Sequence, residues 1–281
     1  MTTTSTRTAM EKAVALKALH QQGKTFVIPN PWDRGSARLL AKAGFPALAT
    51  TSAGCDFARG QMNGGSGRDA ILANAIEIDR ATDLPVSADL EHGYGDAPAD
   101  VAETIRRAIA AGLAGGSIED STGNAQQPIY GFEHAVERMR AAVAVVKSQP
   151  IPFQLVARAE NYLHGRPDLR DTIRRLQAFQ EAGADVLYAP GLTTKAELKT
   201  LVSEVDRPIN VVMGLVSAEF TTVADLAALG VVRISIGSAL ARRAYGALID
   251  AAREMAEQGS FAFADHATPF RDINNSFAPS R

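Results

Sequence analysis

This 281-residue chain has a single cysteine, a single tryptophan, no long apolar run and almost no surplus of charge. Cys55 alone excludes an intrachain disulfide and a multi-cysteine zinc site, and it suits a reducing compartment. No stretch approaches the ~20 apolar residues of a membrane span. The polar start from Met1 to Arg7 also lacks the apolar core of a signal peptide. A cytoplasmic protein with no membrane partner is expected. The 29 Lys and Arg against 31 Asp and Glu leave a net charge of -2, with no basic run to neutralise phosphates. Nucleic acid is therefore not an expected partner, and a small molecule is. No G-x-G-x-x-G turn follows the first apolar segment, which counts against a dinucleotide-binding sheet. No Pro/Gly/Ser-rich linker divides the chain.

What is present is alternation. Met10, Ala13, Leu16 and Leu19 recur at helical spacing over residues 8–22, and Gly23 ends that helix. Apolar segments follow at 25–30, 46–51, 85–91, 114–119, 153–160, 186–190, 209–213 and 232–237. Helical patterns lie between most of them, at 68–82, 99–111, 133–146, 169–182, 195–202 and 222–229, with 239–257 after the last. Strands alternating with helices of this length imply parallel strands joined by crossovers, and eight of them is the number that closes a (β/α)8 TIM-type barrel. An open doubly wound sheet is the alternative. The chain reads as one domain over residues 1–258, including the N-terminal helix. Residues 259–281, with Phe261, Phe263, Phe270 and Phe277 among polar neighbours, read as a C-terminal arm packed on a neighbouring subunit.

In such a barrel the reactive groups belong at the carboxyl ends of the strands. Those ends carry Asn30, Thr51-Ser52-Ala53-Gly54, Asp89-x-Glu91, Glu119-Asp120, Arg158-x-Glu160-Asn161, Tyr188, Asn210 and Ser235-x-Gly237. On a strand, Asp89 and Glu91 point to one face, where two carboxylates repel unless a cation or a shared proton relieves them. Together with Glu119 they offer enough hard oxygen for Mg2+, held directly and through retained waters, with Mn2+ as a substitute. Mg2+ so held acts as a Lewis acid on the oxygen of a bound oxo acid. Arg158 suits a substrate carboxylate, or alternatively an ion pair with Glu119 or Glu160. The backbone amides of Ala53 and Gly54 are candidates to hold an oxyanion in a small-residue turn. His92 is either a general base or a residue that orients Asp89. Trp32 and Tyr94 are candidate pocket walls or core, and Cys55 reads as packing rather than as a nucleophile.

Four ordered motifs carry a resemblance to a known family. They are Thr51-Ser52-Ala53-Gly54, Ala88-Asp89-x-Glu91-x-Gly93-Tyr94-Gly95, Ser117-Ile118-Glu119-Asp120 and Val156-Ala157-Arg158-Ala159-Glu160. Over residues 27–237 the chain resembles the isocitrate lyase and phosphoenolpyruvate mutase superfamily. That resemblance implies a (β/α)8 barrel with its eighth helix exchanged between subunits of a homo-oligomer, a dimer or a tetramer. It also implies lysis of C–C or P–C bonds beside an oxo acid, through an enolpyruvate-type oxyanion. By motif position it makes Asp89 the direct metal ligand and Glu91 and Glu119 water-mediated ones. Arg158 becomes the carboxylate clamp, and Ser52, Ala53 and Gly54 the substrate cradle, with Tyr94 and Asn210 as further contacts.

Departures from the family pattern steer the reaction. The loop at residues 121–131, Ser-Thr-Gly-Asn-Ala-Gln-Gln-Pro-Ile-Tyr-Gly, has neither the Cys of the isocitrate and methylisocitrate lyases nor the Lys of the mutases. Asn63 stands near a position that is acidic in the family, and His92 stands where many members carry a small hydroxyl residue. These features lean towards a decarboxylase or C–C lyase of a small 2-oxo or 2-hydroxy di- or tricarboxylate. The alternatives are a phosphonomutase or phosphonopyruvate hydrolase, a non-catalytic dicarboxylate-binding homologue, or a phosphate-binding barrel using the turns at Gly214 and Gly237. Gly123 and its polar neighbours are expected to form a mobile gate.

Overall fold

The computed structural model describes residues 7–214 and 217–278; residues 1–6, 215–216 and 279–281, and with them most of the polar N-terminal start, lie outside the described residues. Its first helix, α1 (Ala9–Gln21), begins with a reciprocal cap. Thr8 Oγ1 accepts the Glu11 amide and the Glu11 carboxylate accepts the Thr8 amide, at 3.2 and 2.7 Å. Its buried face, Ala13 and Leu16, packs with Phe26, Ala47 and Ala114 at the amino ends of strands. A β-carbon on Gly115 would come within 3.1 Å of Leu16, so glycine is what lets this helix close the floor of the barrel.

The strands are β1 (Phe26–Val27), β2 (Leu48–Ala49), β3 (Val86–Asp89), β4 (Gly115–Glu119), β5 (Gln154–Arg158), β6 (Val186–Tyr188), β7 (Ile209–Val212) and β8 (Arg233–Ser235). They form one parallel sheet in the order β1-β8-β7-β6-β5-β4-β3-β2. The β1–β2 seam is joined by the Ala49 amide to Pro29 O at 3.0 Å and by Asn30 Nδ2 to Thr50 O at 2.8 Å. The eight-stranded (β/α)8 barrel expected from the alternation is thus the fold. Side chains alternate as a pleat demands. Ala88, Leu155, Ala157, Leu187 and Ile234 point outward into the shell of helices, while Ser87, Val156, Arg158 and Asn210 line the interior. Each fully buried outer residue such as Leu155 or Leu187 contributes roughly 1.5–3 kcal/mol of transfer free energy.

Helices α2 (Arg34–Lys42), α3 (Ser52–Ala58), α4 (Arg68–Asp79), α5 (Pro98–Ala110), α6 (Phe132–Lys147), α7 (Leu169–Ala182), α8 (Lys195–Ser203), α9 (Val223–Ala228), α10 (Ala239–Arg253) and α11 (Phe270–Ser276) complete the chain. One differs from expectation. The stretch from Ser52, read as a turn, is the start of α3, because Thr51 caps it by accepting the Gly54 amide at 3.2 Å. In the C-terminal segment, the carbonyls of Phe277 and Asn275 accept at 2.8 Å from Arg38 and Lys42 of α2, respectively. Helix α10 buries only Ala241 and leaves Leu248 61% and Ile249 54% exposed. Among the described residues no helix is long and apolar enough to cross a membrane.

Candidate active site

At the carboxyl ends of the strands the barrel opens into a pocket of about 530 Å3. Asp89, at the end of β3, reaches it with one oxygen engaged and one open. Oδ2 accepts the Ser52 amide at 3.1 Å and the Ser52 hydroxyl at 2.9 Å, whereas the buried Oδ1 has no hydrogen-bond partner. The strand-alternation argument does not place Glu91, since β3 stops at Asp89 and Glu91 takes a left-handed φ of 48°. A tertiary bond does so instead. The Glu119 amide donates to Glu91 O at 3.0 Å and keeps this turn against the end of β4. Burial, then the neighbouring Asp89 and Glu119 carboxylates, push Glu91 up to about 8.

Arg158, at the end of β5, binds three carboxylates at once. Its Nη1 lies 3.0 Å from Glu119 Oε2 and 3.8 Å from Asp89 Oδ1, and its Nε donates to Glu160. The guanidinium also stands over the Tyr188 ring at 5.1 Å. Burial opposes its charge, yet Glu119 and Glu160 more than offset that and hold it protonated. The ion-pair reading of Arg158 is what the structure shows, and the same residue lines the pocket. Ser121 donates to the other oxygen of Glu119.

Other expected residues fall differently. Ser52 and Ala53 line the pocket, but Gly54 does not. The Gly54 amide is engaged by Thr51, and a β-carbon there would stand 2.6 Å from Thr51 Cγ2 and 2.7 Å from Trp32 Cβ. Gly54 is thus a packing glycine beneath Trp32, not part of an oxyanion cradle. Tyr94 and Trp32 are not among the lining residues. Tyr94 turns its hydroxyl into the protein, where it is buried without a partner, and burial followed by Glu91 raises its pKa strongly. Asn210 lies deeper, in a separate interior chamber, and donates to Ser235 Oγ at 3.0 Å. Cys55 is buried, and burial followed by Asp56 raises its thiol to about 11, which leaves it unreactive.

His92 lines the pocket, and its imidazole makes no hydrogen bond to Asp89, so the orienting reading fails. Burial depresses its pKa, with Glu119 opposing, and favours the neutral ring. What positions it was not foreseen. Arg138 of α6 is buried, donates to the carbonyls of His92, Gly95 and Asp96, and stacks on Tyr130 at 4.2 Å. The only sequence signal was a charged residue at a core position of an otherwise apolar helical face.

The rim adds Asn63, Leu163, His164 and Arg242, the last three also unforeseen. The loop at 121–131 is pinned by a Ser121–Ile129 bridge and by the Thr122 amide to Pro128 O at 3.0 Å, while residues 123–127 between them are exposed. The amides of Ile236 and Gly237 both donate to Asn30 Oδ1, at 2.8 and 3.0 Å, so they do not form a phosphate cradle. Among the described residues no three carboxylate, imidazole or thiol groups gather closely enough to enclose a cation by themselves. The open Asp89 oxygen with Glu91 and Glu119 nearby fits a cation that keeps most of its waters.

Comparison with known proteins identifies the family of the chain. The family model described as "Phosphoenolpyruvate phosphomutase" matches residues 16–256. The solved structure of a candidate lyase/mutase from Burkholderia cenocepacia J2315 is 55% identical, with a TM-score of 0.93 over 96% of this chain and 97% of that one. An oxaloacetate decarboxylase of Chromohalobacter salexigens is 30% identical over 251 residues, 85% of this chain and 83% of its own. An oxaloacetate acetylhydrolase, solved in complex with its product oxalate, is 27% identical with a TM-score of 0.84, covering 94% and 93% of the two chains.

Proposed function

The chain belongs to the phosphoenolpyruvate phosphomutase family, within the isocitrate lyase/PEP mutase superfamily, and from that membership we propose that it is a divalent-metal-dependent C–C lyase. Its substrate in this reading is a small 2-oxo or 2-hydroxy di- or tricarboxylate, cleaved or decarboxylated through an enolpyruvate-type oxyanion. The observation that carries the proposal is the shared pocket of Arg158, Asp89, Glu91 and Glu119, in which one guanidinium is ringed by carboxylates and one Asp89 oxygen is left open. Asp89 would hold Mg2+, or Mn2+ in its place, directly, with Glu91 and Glu119 holding its waters. The metal would supply Lewis-acid stabilisation of negative charge on a substrate oxygen.

The chain's own residues do the rest. Arg158, locked by Glu119 and Glu160, presents a preorganised donor edge to a substrate carboxylate. Ser52 fixes the Asp89 carboxylate from the opposite side and lines the pocket with Ala53. His92, an imidazole in the wall that burial holds towards its neutral form, would move a proton to or from the substrate carbon. The loop at 121–131 brings neither Cys nor Lys to the pocket, which favours decarboxylation or simple lysis over the P–C chemistry of a phosphonomutase.

Calorimetry of oxalate binding with Mg2+ and with EDTA tests this reading, because oxalate sets an oxyanion-like oxygen beside a carboxylate. Binding that needs Mg2+ and vanishes in Asp89→Ala is expected, followed by turnover of oxaloacetate or a substituted malate. Binding without turnover of any oxo acid would mark a dicarboxylate-binding homologue, and turnover of phosphonopyruvate alone would mark the P–C enzyme. Equal binding in EDTA would place the metal reading in error.

A further inference from the structure

Below the pocket, inside the barrel, lies a second cavity of about 60 Å3. It has room for more than a single water, whose centre needs ~10–15 Å3. Asp89 and Arg158 line both spaces, so the chamber sits directly beneath the candidate active site. Its lower wall is made by Ser87, Ser117, Asn210, Ser235 and the guanidinium of Arg233.

Arg233 is the unexplained residue. It is 4% exposed, and register places it beside Asn210, Tyr188 and Arg158 along β8, β7, β6 and β5. Only its Nη2 is engaged, at 3.3 Å from the Ser87 hydroxyl. Nε and Nη1 are buried with no hydrogen-bond partner, and among the described residues no ion pair joins Arg233 to a carboxylate. The neighbouring Asn210 gives its Nδ2 to Ser235 and leaves its Oδ1 unpartnered, so it neither supplies Arg233 with a charge nor donates into the chamber. Asp89, the carboxylate that borders the chamber, gives Oδ2 to Ser52 and turns Oδ1 towards Arg158 at 3.8 Å, and it makes no ion pair with Arg233. A buried guanidinium without a counter-charge is costly, and uncharged hydroxyls cannot supply one.

We propose that the chamber is a binding site for one small monovalent anion, of halide to hydrogen carbonate size, held by Arg233 Nε and Nη1. The hydroxyls of Ser87, Ser117 and Ser235 turn towards the anion and complete its shell. Ser87, Ser117, Asn210, Ser235 and Arg233 line this chamber and not the pocket. The site therefore differs from the pocket above it, and it does not depend on the reaction performed there. Burial depresses Arg233 to about 10, with Tyr188 opposing, in keeping with a charge that the protein alone leaves uncompensated. His20, whose buried Nε2 is also unpartnered, feels the same charge.

The test uses bromide and hydrogen carbonate as probes on the whole chain. Crystals grown in bromide should show an anomalous peak within hydrogen-bonding reach of Arg233 Nε and Nη1. At constant ionic strength, replacing methanesulfonate by bromide or hydrogen carbonate should raise Tm by roughly 2–4 °C per tenfold once the site is saturating. Arg233→Met should abolish that dependence. A response to hydrogen carbonate alone would identify the natural occupant as an oxyanion, and a response to both would identify it by size. Water alone in crystals grown in bromide and in crystals grown in hydrogen carbonate would overturn the proposal, and so would an anion response that persists in Arg233→Met. The diffraction arm decides even where that variant fails to fold.

Discussion

Replacing Arg158 by Met keeps an unbranched stem over Tyr188 and removes one charge from among three carboxylates. At an effective dielectric of about 20, the 3.0 Å contact to Glu119 and the 3.8 Å contact to Asp89 are each worth about 4–6 kcal/mol before desolvation is subtracted. Removing one partner of a buried pair costs roughly 3–5 kcal/mol net, because the remaining charges stay buried and uncompensated. The expected result at neutral pH without metal is a loss of that size in urea unfolding, read as a fall in midpoint at unchanged m. The loss should shrink as pH is lowered towards 5. Without the guanidinium the folded-state carboxylates bind protons more readily than the unfolded ones, so stability relative to wild type recovers as they are protonated. Added Mg2+ should recover part of it by the same logic. A loss below about 1 kcal/mol, or one identical at both pH values, would refute the charge-hub reasoning and leave only packing.

Three further outcomes are expected. His20 is held at about 3 by burial and then by Arg233, against an ordinary value of 6.5. Between those values the unfolded chain binds the extra proton, so stability is full above pH 6.5 and falls as pH drops, by about 2 kcal/mol at pH 5. His20→Gln should flatten that slope in urea midpoints taken at pH 7.5 and 5, and an unchanged slope would assign it to other groups. Proteinase K should cut within 121–131 in the free protein and be slowed there by oxalate with Mg2+. Equal cutting would remove the gate. Leu248→Glu with Ile249→Glu on the exposed face of α10 should convert a dimer or tetramer into monomers by light scattering. An unchanged mass would show that this face covers no second copy.

The alternation of apolar and helical segments, and the polar residues at strand ends, were readable because strand and helix periods are local properties of the chain. That was enough for eight strands, the barrel and the rim holding Asp89, Glu119 and Arg158. Placement that depends on distant partners was not readable. Glu91 reaches the pocket off its strand because the Glu119 amide holds its carbonyl, 28 residues away in the chain by their numbers. Gly54 leaves the site because Trp32 fills the space above it, and the loop bearing His92 is fixed by Arg138 from α6. Arg233 reads in sequence as an ordinary charge within an apolar segment. Only closure of the barrel sets it among serines, with no carboxylate paired to it among the described residues. Sequence thus determined which residues lie on which strand. Tertiary contacts decided which of their polar groups are satisfied and which are left open to bind something.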